Sequence, residues 1–122
     1  MAIFKLKTFA RFARTEQIAD TSLLDAINRA SRGLVEADLA GWLIKQRVAR
    51  AGQGKSGGYR VITGFRDRDF AVFLFGFSKS RLANLDDHQL LMLRRIFTAW
   101  LAADAKAIAA AVEQGELVEV KQ

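Results

Sequence analysis

Three strand-like runs, residues 42–49, 59–65 and 70–77, follow one another across links too short for a crossover helix. More than any other feature, this narrows the folds open to the chain. Along the first run a period of two sets Trp42, Ile44 and Val48 on one face. Leu43, Lys45, Arg47 and Ala49 fall on the other, less buried face. The third run is apolar on both faces and reads as a central strand buried between layers. Its link to the second run, Arg66-Asp67-Arg68-Asp69, is a short charged turn, so an antiparallel meander is expected.

The flanks read as helix with a strand at each end. Residues 3–6 suit a short strand, and residues 8–17 a helix with Phe9, Phe12 and Ala13 on one face. Asp20, Thr21 and Ser22 offer N-cap chemistry for a second helix reaching about Ser31. Its apolar face is Leu23, Leu24, Ile27 and Ala30, and Gly33 is its expected stop. Beyond the meander, residues 84–87 cap a long helix, with Asp86 and Gln89 at capping-box spacing. Leu90, Leu93, Phe97, Trp100 and Leu101 form its stripe, and Arg94 and Arg95 fall largely outside it. The alanine-rich segment is expected to prolong the helix to Val112, Gly115 to end it, and residues 117–120 to add a small edge strand. Trp42 and Trp100 are both expected in the core, as are Phe70, Phe73, Phe75 and Phe77. The expectation is a single α+β domain spanning residues 1–122, with a small curved antiparallel sheet, two short N-terminal helices and a long C-terminal helix. A hydrophobic fraction of 51% and a charged fraction of 26% suit a globular domain of that kind.

The charge pattern points toward an anionic partner. Lys45, Arg47, Arg50, Lys55 and Arg60 crowd around the glycine-rich link between the first two runs, and no carboxylate interrupts them in that stretch. Crowded cations repel until an anion arrives, and a polyphosphate backbone is the natural one; the alternative is a solvated basic hairpin. The net charge of +6 favours nucleic acid, an acidic protein partner, or both. Lys79 and Arg81 leave the end of the third strand, where a sheet presents residues to a ligand. Tyr59, beside Arg60, is open to two uses, stacking on a base or packing in the core, with packing favoured.

Other chemistries fit poorly. Gly52, Gly54 and Gly57 match the dinucleotide fingerprint literally, but a strand follows them where that fingerprint needs a helix. Gly54-Lys55-Ser56 resembles the end of a P-loop and fails for the same reason, although its N–H groups and Lys55 can still cradle phosphate. Without cysteine there is no disulfide scaffold, thiol nucleophile or thiolate metal site, and this fits a reducing cytosol. His88, the one histidine, suits a surface or capping role beside Asp86 and Asp87. The longest apolar run is far too short to span a bilayer. The basic residues Lys5, Lys7, Arg11 and Arg14 read as part of the first strand and helix rather than as a targeting segment.

With these residues in view the chain resembles the RelE family of bacterial type II toxins, within the RelE/ParE superfamily, in a HigB-like form. The resemblance rests on Ile44-Lys45-Gln46-Arg47, on Gly54-Lys55-Ser56-Gly57-Gly58-Tyr59-Arg60, on Phe75-Gly76-Phe77-Ser78-Lys79, and on Asn84-Leu85 before a long helix. It is specific over about residues 34–100. It implies a curved antiparallel sheet with helices on one side. It also implies a cytoplasmic, metal-independent and cofactor-free endoribonuclease that cuts mRNA on the ribosome and so inhibits translation. Its implied partners are the ribosome, mRNA and a cognate antitoxin, usually a helix-turn-helix protein encoded nearby; no membrane is involved.

In such a reaction the RNA 2′-OH attacks the adjacent phosphate. The protein must deprotonate that hydroxyl, neutralise the phosphorane and protonate the leaving oxygen. A lysine whose neutral form is favoured by neighbouring cations can act as acid or base. Lys45, Lys55, Arg60 and Lys79 are the candidate catalytic residues, with Arg60 holding the phosphate bidentately. Arg47, Arg50, Tyr59 and Arg81 are the candidate RNA-binding residues. The chain departs from relatives that carry a C-terminal tyrosine, or histidine and acidic residues, at the active site, because no tyrosine follows Tyr59. The choice of general acid and base stays open. So do two further functions, a ParE-like gyrase inhibitor and a non-catalytic nucleic-acid-binding module.

Overall fold

A computed structural model describes residues 1–49, 58–78 and 85–122. Its strands form one curved, open, mostly antiparallel sheet in the order β2-β3-β4-β5-β1-β6. The meander is β3 (Leu43–Val48), β4 (Tyr59–Arg66) and β5 (Phe70–Ser78), with Arg47 opposite Arg60 and Arg60 opposite Phe77. β5 lies inside the sheet, as its two apolar faces require. Its other neighbour is β1 (Ala2–Leu6), which pairs with it in parallel. β6 (Leu117–Glu119) closes one edge against β1, and the two-residue β2 (Ala37–Asp38) forms the other against β3.

Helices cover both faces of the sheet, not one. α1 (Lys7–Thr15) and α2 (Asp20–Ser31) bury Phe9, Ala13, Leu23, Ala26, Ile27 and Ala30 against Ile44, Val48, Val61 and Phe73. α3 (Asp87–Ala102) and α4 (Ala105–Glu113) cover the opposite face, where Phe97 and Ala111 meet Leu43, Ile62, Val72 and Phe77. A sheet apolar on both sides needs two covers, and the inward residues of β4 and β5 supply both cores. A bulge reconciles the two sets. Ile62 pairs with Phe75 but Thr63 pairs with Phe73, so Leu74 is the extra residue and joins Phe75 on the α3 side.

Several local expectations change. Trp42 is no core residue: its backbone turns with φ +67° just before β3, and the residue is 55% exposed. The β2–β3 turn uses positive φ at Ala40, Gly41 and Trp42 in succession, so the strand starts one residue late. Arg94 of α3 braces this turn, donating to the carbonyls of Leu39 (2.5 Å) and Ala40 (3.4 Å). The long helix also stops early. Ala103 is extended and Asp104 caps a new helix, its carboxylate accepting from Ala107 N–H at 2.8 Å. The Asp86–Gln89 capping box is present in both directions, at 2.8 and 3.0 Å. α2 ends as expected in a Schellman motif, with Gly33 N–H on Ala30 and Leu34 N–H on Arg29 at 2.9 Å each. The Asn84 cap lies outside the described residues. Among those residues no helix is long and apolar enough to cross a membrane.

Asp20 is the first residue of α2 rather than its cap; the N-cap is Ala19, without a side-chain bond. Its carboxylate instead accepts from Lys5 Nζ and from the Lys121 N–H, both at 2.8 Å, joining β1, α2 and the C-terminal segment. Burial pushes its carboxyl upward, but the Lys5 hydrogen bond, the Lys121 N–H and both lysine charges outweigh this and hold it below its ordinary 3.8. A carboxyl depressed by folding stabilises the protein above the unfolded value, and that stability is lost as pH falls through the folded value. Asp20→Asn is therefore expected to lower the urea midpoint at pH 7. The gap from the parent should shrink as pH drops below 3.8. Equal midpoints at pH 7 would show that the pair contributes nothing.

Candidate nucleic-acid interface

Strand alternation carries Lys45 and Arg47 of β3 and Arg60 of β4 to the α3 side of the sheet. Arg47 and Arg60 stand directly opposite each other, a placement that repels unless an anion lies between them. Glu36 is that anion. It lies just before β2, and its N–H donates to the Lys45 carbonyl at 2.9 Å, so the sheet edge holds it in place. Its Oε2 accepts from Arg47 Nε at 2.9 Å and lies 2.8 Å from Arg60 Nε. Its Oε1 accepts from Arg60 Nε at 3.1 Å and lies 3.3 Å from Lys45 Nζ. The cluster that the sequence shows as free of acid thus contains a carboxylate at its centre, brought there by β2 pairing.

Burial tends to raise the Glu36 carboxyl. The Arg47 hydrogen bond, the Arg60 charge, and the hydrogen bond and charge of Lys45 together hold it below its ordinary 4.5, so it is ionised at neutral pH. With Lys45, Arg47 and Arg60 charged, the four side chains still carry an excess of positive charge, enough to attract a phosphate.

The three cations differ in what they leave accessible. Arg47 is 50% exposed, while Arg60 is only 8% exposed at its side chain. Arg60 meets Glu36 through Nε, and its buried Nη1 has no partner among the described residues. The Lys45 stem lines a recess of about 50 Å³ with Leu39, Ile62, Phe77, Leu85 and Leu90, packing its methylenes while its ammonium reaches Glu36. Arg29 of α2 adds a tie from behind, donating to the Arg47 carbonyl at 2.8 Å.

Tyr59 is placed differently from the RNA-binding role considered for it. The residue is 1% exposed, with its ring edge-on to Phe12 at 5.6 Å and its hydroxyl donating to Glu16 at 2.8 Å. The ring is engaged in the α1 core, on the sheet face away from the cations, where it has no free face to stack on a base. His88 is exposed in the first turn of α3. Lys55, Lys79, Arg50 and Arg81, together with the glycine-rich turn, lie outside the described residues. Arg94 falls largely outside the helical stripe, yet it holds the turn that leads into β3.

Glu36 is the residue that the strand pattern missed. A hairpin reading of residues 34–48, with Gly41 at the turn, pairs Ala37 with Lys45 and so brings the preceding Glu36 to the cations; the signal is the Asp38-to-Gly41 turn chemistry. The profile of the RelE toxin of the RelE/RelB toxin–antitoxin system matches residues 1–120. The chain belongs to the RelE toxin family. No curated protein matches it. Membership makes the chain a toxin of a toxin–antitoxin system and implies a RelB-like antitoxin partner.

Proposed function

We propose that this RelE-family chain is a metal-independent endoribonuclease that cuts mRNA on the ribosome and so blocks translation. The observation that carries this reading is the cluster of Lys45, Arg47 and Arg60 on one face of the sheet, three cations around a single carboxylate with the Arg47 guanidinium half-exposed. The cluster keeps an excess of positive charge, and the half-exposed Arg47 guanidinium can present it to a phosphate. In the reaction the 2′-oxygen bonds to phosphorus and the bond from phosphorus to the 5′-oxygen breaks. One proton leaves the 2′-OH and one arrives on the 5′-oxygen. Arg60 and Arg47 would neutralise the charge that builds on the phosphorane. Lys45, 3.3 Å from the Glu36 carboxylate, is the described residue suited to give a proton to the 5′-oxygen. Lys55 and Lys79 are the remaining candidates for the second transfer.

The test is induced expression with mapping of mRNA 5′ ends, run beside Lys45→Arg. The parent is expected to generate new 5′ ends within translated regions. Lys45→Arg keeps charge but cannot readily give up a proton, so cleavage should fall by about 10²–10⁴-fold. Ribosome affinity should stay within about threefold, because affinity for phosphates follows charge. Growth inhibition without new 5′ ends would replace this reading with gyrase inhibition. Undiminished cleavage by Lys45→Arg would remove Lys45 from the chemistry.

A further inference from the structure

We propose that Glu36 is a positioning residue for the phosphate-binding arginines, gripping Arg47 and Arg60 by Nε so that their Nη groups are aimed at the RNA phosphate. This rests on the reading of the site as a ribonuclease centre and adds to it a residue that touches no substrate.

The contacts themselves make the case. Glu36 reaches both arginines at Nε, at 2.9 Å for Arg47 and at 2.8 and 3.1 Å for Arg60. Arg47 and Arg60 face each other across adjacent strands, and the shared Oε2 draws the two like charges to a common point. Glu36 is itself fixed. Its N–H bonds Lys45, β2 follows it directly, and Arg94 holds the turn beyond. A carboxylate on a braced edge can therefore set the orientation of two long side chains that would otherwise sample many rotamers.

A rival role is that of a competing anion, which fills the phosphate site and leaves when RNA arrives. The geometry argues against it. The Arg47 side chain is half-exposed with Glu36 in place, so phosphate need not displace the carboxylate to reach a guanidinium. The two roles predict opposite signs. Removing a positioning residue slows cleavage, whereas removing a competitor tightens RNA binding and speeds it.

The experiment compares Glu36→Gln and Glu36→Asp with the parent in single-turnover cleavage of ribosome-bound mRNA. Ribosome affinity and the folded fraction at the assay temperature are measured alongside. Glu36→Asp keeps the charge that a buried Arg60 needs, so it guards against loss of fold, but its shorter side chain moves the grip. Expected are a rate loss of about 10²-fold for Glu36→Gln and about tenfold for Glu36→Asp, as misplacing a reacting group by about 1 Å can cost 10²-fold. Affinity should stay within about threefold for both. Parent-like rates in folded Glu36→Asp, or a faster and tighter Glu36→Gln, would overturn the positioning role. A purely structural role would lower the folded fraction and leave the rate per folded molecule unchanged, which also counts against it. Arg60→Ala is run as the reference. If it cuts like the parent, the ribonuclease reading and the inference fall together. If it is inactive while both Glu36 variants cut normally, only the inference falls.

Discussion

Arg60→Lys is expected to lose about 10²–10³-fold in mRNA cleavage, the range seen when one donor to a developing charge is removed. Lysine preserves the charge at position 60 but not the planar fork. It cannot hold Glu36 with one nitrogen and offer others to a phosphate in fixed directions. Ribosome affinity, governed by total positive charge, should change by less than about threefold. The defect should therefore appear in the rate of the bound complex. Arg60→Ala should be inactive, and it has a further consequence that charge patterning alone would miss. Arg60 reads from sequence as a surface cation whose loss costs little. It is 8% exposed and paired with Glu36, so its truncation is expected to cost about 1–3 kcal/mol of stability, Glu36 keeping Arg47 and Lys45 as partners. Rates must accordingly be normalised to folded protein. A folded Arg60→Lys toxin that cuts at the parent rate would remove Arg60 from the reaction.

The placement of those cations was readable because strand periodicity is a strong local signal. Period two put Lys45 and Arg47 on one face, short links made the meander antiparallel, and Arg60 then had to lie beside them. What escaped depends on contacts distant in sequence. Glu36 meets Arg60 across a separation of 24 residues, through a strand of two residues that has no period to read. Gln46 is fully buried on the α2 side, where its amide donates to the Ala26 carbonyl at 2.7 Å, so a polar residue stands where the pattern expects an apolar one. Trp42 continues the alternation in composition, yet its positive φ takes it out of the strand. The helix break at Ala103 was masked by strong helix formers on both sides, although Asp104 supplied the cap. The parallel pairing of β1 with β5 depends on the path of the chain around α1 and α2, which composition does not encode.

Gly64→Ala is expected to destabilise the protein by about 2–3 kcal/mol, at the upper end for one added methyl in a packed interior. Gly64 lies on the α3 face of β4, paired with Leu43 and Val72. A Cβ there would stand 2.2 Å from Phe97 Cδ1 and 2.3 Å from its Cγ. The ring cannot swing away cheaply, since Phe97 is fully buried and stacks on Phe70 at 5.9 Å. Relief requires α3 to lift from the sheet, and α3 also supplies Leu90 to the Lys45 recess and Arg94 to the turn next to Glu36. A stability defect at Gly64 should thus reach the cationic cluster without touching it, and reduce cleavage per folded molecule as well. The control is Phe97→Leu, which opens space for the new methyl. Alone it should cost about 1–2 kcal/mol, below the range for truncating a phenylalanine to alanine. Combined with Gly64→Ala it should cost less than the sum of the two, by at least about 1 kcal/mol, because the substituted groups share one volume. Urea titrations of the four proteins measure that coupling directly. Strictly additive costs would mean that the Phe97 ring does not set the distance between α3 and the sheet, and that α3 is held over the site by its other contacts.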